Sequence, residues 1–412
     1  MAIPKLALIP SGVKAGKLYS VLPTNGDGDF TTTRASVATR VNENGLIEEV
    51  AANVPRLDYS DGGCPSLLLE PTSTNLITYS EDFSNAYWTK DASSVTSGFT
   101  SPKGDLSAFK LVEDSANSNH SVYVSSGALA SNVYAFSTFI KKGERYKCAI
   151  ADRNSGAYAS FNLNDGTIIE QSGMTGKIEL ISNDWYKISI ASTSNITLFI
   201  TQIFVLEDSY TTGVPILLNY TGDGTSGVYI WGAQMEENSY ATSYIKNAGT
   251  ALGVTRVADT ATGSGNSTVI NSSEGVLYAE ISALANDLTS RYIVISDGTV
   301  SNFVSILFFP VSNSIRYSVT VGGVEVSDLI YALSDITELN KFAVSWKLNE
   351  FKLYVNGVKR GEDLLGNIYS PQVLNTVDFQ HPQGGNFYGK TKSVQVYTTA
   401  LSDAELTTLT TI

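Results

Sequence analysis

His120 and His381 are the only imidazoles in this 412-residue chain. Catalysis by a Ser-His-Asp or Cys-His set needs a histidine within hydrogen-bond reach of its partners. Neither histidine has a motif around it, since the sequence holds no Gly-x-Ser-x-Gly and no His-Glu-x-x-His. Zinc would require ligands that the chain barely owns. Glycoside hydrolysis asks only for two carboxylates about 5–9.5 Å apart, a separation that a sequence does not display. The acids that would serve stand badly for it: Glu280 is alone in Tyr278-Ala279-Glu280-Ile281, and Glu236-Glu237 has no acidic partner two to five residues on. No enzyme activity is expected. Asn25-Gly26-Asp27-Gly28-Asp29 invites a calcium loop, but an EF-hand begun at Asn25 wants Gly at its sixth position and Glu at its twelfth. Phe30 and Ser36 stand there. A tight acidic turn is expected instead. No cofactor is expected, with calcium left open as a stiffener of a sandwich loop.

The remaining chemistry is recognition. An aromatic face matches the apolar C–H face of a pyranose, so Trp88, Trp185 and Trp231 are candidate glycan-stacking residues. Tryptophans also fill sandwich interiors, and the sequence does not separate the two roles. Arg34, Arg40 and Arg56 lie among small residues and acids, including Asp58 and Glu70. Guanidinium forks suit carboxylates, so these arginines are expected to pin an irregular backbone by ion pairing. Cys64 and Cys148 are far apart, and two reduced, buried thiols are expected.

These residues must be held by strands. Charged residues make up 16% of the chain, and the net charge is −13. Phosphate binding needs clustered Lys and Arg, so nucleic acid and anionic membranes are excluded as partners. No run approaches ~18 apolar residues, and the first residues do not read as a secretory signal. From about Thr78 to Ile245 apolar and polar residues alternate, as in Tyr186-Lys187-Ile188-Ser189-Ile190 and Ile196-Thr197-Leu198-Phe199-Ile200. Period two with one polar face marks half-buried antiparallel strands. From Gly275 the pattern resumes, with Phe351-Lys352-Leu353-Tyr354-Val355 running into the hairpin signal Asn356-Gly357. Ser402-Asp403-Ala404-Glu405 is a capping box opening a short helix. The fold class is therefore all-β. An extended N-terminal region precedes two antiparallel β-sandwiches and a short C-terminal helix. The expected boundaries are 1–75 for the N-terminal region, 76–246 for the first sandwich, 247–272 for a Gly-rich linker and 273–412 for the second sandwich.

Three stretches carry family resemblances. Arg-Ala-Ser-Val-Ala-Thr-Arg-Val-Asn at 34–42 leads through Gly45-Leu46-Ile47-Glu48 into Cys64-Pro65-Ser66-Leu67-Leu68-Leu69-Glu70-Pro71 and Thr74-Asn75-Leu76. This run resembles the N-terminal linker of bacteriophage tail and appendage proteins. Glu81-Asp82-Phe83, Asp184-Trp185-Tyr186-Lys187 and Tyr229-Ile230-Trp231-Gly232-Ala233-Gln234-Met235-Glu236 resemble jelly-roll carbohydrate-binding modules. The Asn356-Gly357 hairpin, Phe387-Tyr388-Gly389-Lys390-Thr391 and Ala400-Leu401-Ser402-Asp403-Ala404-Glu405-Leu406 resemble concanavalin-A-like, laminin-G-like sandwiches. Some glucanases share that last fold, but their Glu-x-Asp-x-x-Glu strand is absent here.

Together the resemblances imply a phage virion structural protein, a tail or head fibre or appendage. It would be made in the host cytoplasm and carried on the virion. Residues 1–75, with Arg34, Arg40, Arg56, Asp58 and Glu70, would attach to other virion proteins. The sandwiches would present host surface glycans with a binding face, in a homo-oligomer of the trimeric kind. A purely structural fibre or decoration protein, or a capsule polysaccharide depolymerase, would carry the same resemblances.

Overall fold

The computed structural model describes residues 2–192 and 196–412. Strand accounts for 50% and helix for 3% of it, which places the chain in the all-β class. It divides into two compact units. One is Met1–Val37, Val50–Pro71 and Val257–Ile412; the other is Ala38–Glu49 and Thr72–Arg256.

That division differs from the expected one, because residues 1–75 do not form a region of their own. Leu6–Leu8 pairs with Val394–Val396, and Ser66–Leu69 pairs with Gly389–Thr391. Leu6, Leu8, Leu67 and Leu69 enter the same core as Val394, Val396 and Trp346. Strands of three or four residues cannot bury a core alone, so they extend a sheet that already has one. The stretch 247–272 is not a free linker either. Thr260–Thr262 pairs with Phe30–Thr33 in the first unit, and Val254–Arg256 pairs with Ser73–Asn75 in the second. At Gly253 the backbone turns at φ +88, where only a residue without Cβ sits easily, and an added Cβ would meet the Thr74 side chain at 2.6 Å. Its glycines shape turns here.

The first unit stacks an eight-stranded sheet on a five-stranded one. Both are antiparallel throughout their central strands, including Glu274–Ala283, Asn340–Lys347 and Glu350–Val355 in the larger sheet. Arg291–Ser296, Phe303–Phe308 and Ser314–Val321 run through the smaller one. Asn356 and Gly357 both have positive φ, and Val355 pairs with Val358, the two-residue turn expected from Asn-Gly. The Ser402 capping box is formed at the start of helix Asp403–Thr410. Asn25–Asp29 is a turn whose Asn25 and Asp27 side chains bond each other, while Asp29 holds Lys17 at 2.7 Å.

The second unit is a sandwich of two six-stranded antiparallel sheets. One runs Thr89–Asp91, His120–Asn132, Ile196–Leu206, Lys147–Asp152, Tyr158–Asn162, Thr167–Ser172. The other runs Ser93–Phe99, Ala108–Glu113, Gly227–Glu236, Ala135–Lys142, Trp185–Ser192, Met174–Ser182. Phe136, Ile140, Cys148, Ile150, Ile188, Ile203 and Ile230 fill the space between them. Ala135–Lys142 is not half-buried as its alternation suggests. Six of its residues are buried, because the outer face of its sheet is covered as well.

Candidate functional site

The second unit carries a cleft of about 200 Å³ on the outer side of its first sheet. Its floor follows from alternation along Ile196–Leu206. Ile203 and Val205 turn into the sandwich core, which sends Phe204 and Leu206 to the opposite face. The neighbouring strand meets them there with Ala149 and Ala151, which are small and leave a shallow trough. Val214, Ile216 and Leu218 from the following loop pack onto that trough. Pro215 begins the single turn Pro215–Leu217, where its fixed φ suits the first position and its missing N–H costs nothing.

Polar side chains fix the rim. The Glu170 carboxylate accepts from Gly213 N (2.8 Å), Thr212 Oγ1 (3.0 Å) and the Tyr210 hydroxyl (3.4 Å). The Gly213 amide, foremost among these donors, holds that carboxyl below the usual carboxylate range. Tyr210 also donates to Gly213 O at 2.8 Å, closing the loop on itself. On the far wall Tyr220 donates to Glu113 Oε2 at 2.7 Å. Glu113 accepts in addition from Arg145 Nε (3.0 Å) and Nη2 (2.6 Å) and from Asp223 N (3.0 Å). Burial alone would push Glu113 up, but these donors outweigh it and the carboxyl sits below its ordinary range. Burial pushes the Tyr220 hydroxyl up, so it stays a neutral donor. Glu207, Ser209, Thr211, Thr212 and Asn219 line the mouth and are exposed. An apolar floor with a few fixed polar groups is the usual form of a small-ligand site.

The Glu113 arrangement sets a pH dependence. Its folded pKa is depressed, so its contribution is complete above the unfolded carboxylate range and is lost as pH falls through the folded value. Melting followed between pH 7 and 3 is expected to show declining stability. Glu113→Gln should cost about 2 kcal/mol at neutral pH, by taking from Arg145 its close carboxylate and leaving Asp208 at 3.8 Å, and should flatten that decline.

The sequence-derived candidates lie elsewhere. Trp88, Trp185 and Trp231 are 1%, 3% and 0% exposed, so none of them offers a ring to a sugar. Trp88 packs 4.8 Å from Phe83 and donates to Tyr79 O. Trp231 lies 4.6 Å from Tyr244 and 5.3 Å from Phe139, and it donates to Ser107 Oγ. Trp185 belongs to the same cluster, which Ile47 helps to cover. Their stacking role is therefore corrected to a core role. Trp88 lies in the core between the two sheets, and the outer face of the sheet that carries Trp185 and Trp231 is roofed by other parts of the same unit.

Arg34 and Arg56 are ion-paired pins, as expected. Arg34 Nη1 donates to Asp259 Oδ1 at 2.9 Å and to Val54 O, while Nε donates to Ser36 O and Nη2 to the carbonyls of Val50 and Ala51. Arg56 holds Glu70 at 2.5 Å and the second oxygen of Asp259. Burial works against the Arg56 charge, yet the two carboxylates keep it more firmly protonated than usual. Arg40 pairs with Glu48 at 2.5 Å in the second unit, half-exposed. Asp58 is buried and accepts from Ser60 N at 3.1 Å. Asp259 was not legible as the partner, since more than 180 residues separate it from Arg56 and Glu70.

His120 is buried between Ala92 O (2.6 Å) and Tyr220 O (3.2 Å). His381 lies 4.8 Å from both the Tyr292 and Phe303 rings, and burial pushes its pKa down. Glu236 is enclosed and accepts from Ser73 Oγ (2.6 Å) and Thr242 N (2.9 Å). Among the described residues, no three or more His, Cys, Asp or Glu gather as metal ligands.

The expectation of two buried thiols holds for Cys148 alone; Cys64 is exposed in a turn beside Gly62 and Gly63. Burial pushes the Cys148 thiol up, away from the reactive thiolate. A thiol reagent is expected to modify Cys64 only in the native protein, and Cys148 as well after unfolding. Rapid native modification of both would contradict this.

No protein-family model matches the chain, and no curated protein matches it in sequence. Solved structures similar in part include the IT-sialidase CBM40 of Ruminococcus gnavus bound to α2,3-sialyllactose, 18% identical over 36% of this chain and 93% of that one, TM-score 0.30. Domain 4 of AbnA, a GH43 extracellular arabinanase from Geobacillus stearothermophilus in complex with arabinotriose, is 12% identical over 42% and 84%, TM-score 0.32. Domains LG4-5 of the mouse laminin α1 chain are 9% identical over 80% and 91%, TM-score 0.24. None of them assigns this chain a ligand.

Proposed function

We propose that this chain is a glycan-binding structural protein of a phage particle, a tail or head fibre or appendage that attaches the virion to its host surface. The observation that carries the binding half is the cleft of the second unit: half-buried Leu218 and Tyr220 within a polar, exposed rim of Glu207, Ser209, Thr211, Thr212 and Asn219. A sugar ring has the matching character, with apolar C–H faces and hydroxyls around its edge. The virion half rests on the resemblance of residues 34–83 to phage appendage linkers. Binding at a small cleft is weak, and a homotrimer on the particle would multiply it through avidity.

The test is a glycan panel titrated against the full chain and against Leu218→Trp, which fills the cleft. The expected result is binding by the native chain that the substitution weakens at least about tenfold, with its melting temperature kept. A folded protein that binds no glycan would leave a purely structural fibre. Falling polymer size during incubation would instead point to a depolymerase.

A further inference from the structure

We infer that the cleft takes a single sugar residue at the end of a glycan chain and excludes internal stretches of polymer; this rests on the reading of the cleft as a glycan site. Size is the first reason. The cleft holds about 200 Å³. Pockets that bury a drug-sized ligand run to about 300–1,000 Å³. A trisaccharide is a ligand of that size, and one pyranose is about a third of it.

Enclosure is the second reason. Every lining residue except Asn119 comes from the one segment 204–220, which leaves the sheet after Leu206 and returns at Tyr220. Both flanks of that segment are tied down. On one side the Glu170 carboxylate holds Thr212 and Gly213. On the other, Tyr220 and Thr221 pair with Ser118 and Asn117, and Asn119 Nδ2 donates to Ile216 O at 3.2 Å. A cup made inside one tethered loop has a mouth, but no open far end through which a chain could continue. The apolar lining agrees. An internal stretch needs successive platforms for successive rings. Here Leu218 and Tyr220 are half-buried and offer one such platform, whereas Phe204, Leu206, Tyr210 and Pro215 are buried.

Calorimetric titration of the full chain tests this with glucose, galactose and N-acetylglucosamine series, each made of the methyl glycoside, its linear disaccharide and its tetrasaccharide. The series that binds is expected to keep its affinity within about tenfold from the methyl glycoside to the tetrasaccharide. Leu218→Trp, which fills the cup, should weaken every member of that series alike. A rise of more than about tenfold along the series, lost in Leu218→Trp, would overturn the inference and leave the glycan site standing. Binding that Leu218→Trp leaves intact, or no binding by any probe at millimolar concentration, would remove both.

Discussion

Asp259→Ala is expected to lower the unfolding free energy of the first unit by about 3–5 kcal/mol, the cost of breaking a buried ion pair from one side. Arg34 and Arg56 are 1% and 0% exposed, and both place a guanidinium nitrogen on Asp259. Asp259 Oδ2 also accepts from Glu70 N at 3.0 Å, so the residue ties two arginines and one backbone amide together. Removing it strips a carboxylate from both guanidinium groups, while Arg34 keeps its carbonyls and Arg56 keeps Glu70. Neither side chain can swing to water without opening the core around Leu57 and Leu69. Hydrogen exchange in urea at the paired amides of Glu274–Ala283 reads this unit, whereas intrinsic fluorescence would sum Trp346 with the three tryptophans of the second one. Asp259→Asn keeps an acceptor without the charge and should fall between. A loss under about 0.5 kcal/mol for Asp259→Ala would mean that the arginines are held by their carbonyls instead.

Trp231→Ala is the second large effect, expected at about 3–5 kcal/mol of stability in the second unit. The ring fills the space among Phe139, Tyr244 and Ala108, and its indole N–H is spent on Ser107. Gly232 next to it turns at φ +66, and a Cβ there would meet Phe139 at 3.0 Å, so the cluster has little room to close over a cavity. Glycan affinity per folded molecule should not change. Selective loss of binding with stability intact would return Trp231 to the binding role that its chemistry first suggested.

The fold was legible where local chemistry decides it. Alternation gave the strands, Asn356-Gly357 gave the hairpin and Ser402-Glu405 gave the helix start, because each is written within a few residues. Segment membership was not. Leu6–Leu8 and Ser66–Leu69 read as strands of a separate region, and only pairing with Gly389–Tyr397 across more than 300 residues shows where they are buried. The arginine pins were readable by type, while their shared partner Asp259 lay inside what composition marks as a linker.

The cleft was missed for a related reason. The tryptophans drew attention as the largest rings, whereas the site is assembled from Asn119, Phe204, Tyr210, Leu218 and Tyr220, ordinary residues gathered by a loop. The available signal was modest: two tyrosines, threonines, a proline and glycines crowded into 210–222 right after a long apolar strand. Such a loop is where a rigid sheet most often carries recognition.

The most direct test of the account is a crystal structure of the full chain with the tightest-binding oligosaccharide. The expected result is a sugar ring seated against Leu218, with its hydroxyls bonded to the rim residues Thr211, Thr212 and Asn219. A glycan bound at another face, with the cleft holding only solvent at saturating ligand, would contradict it.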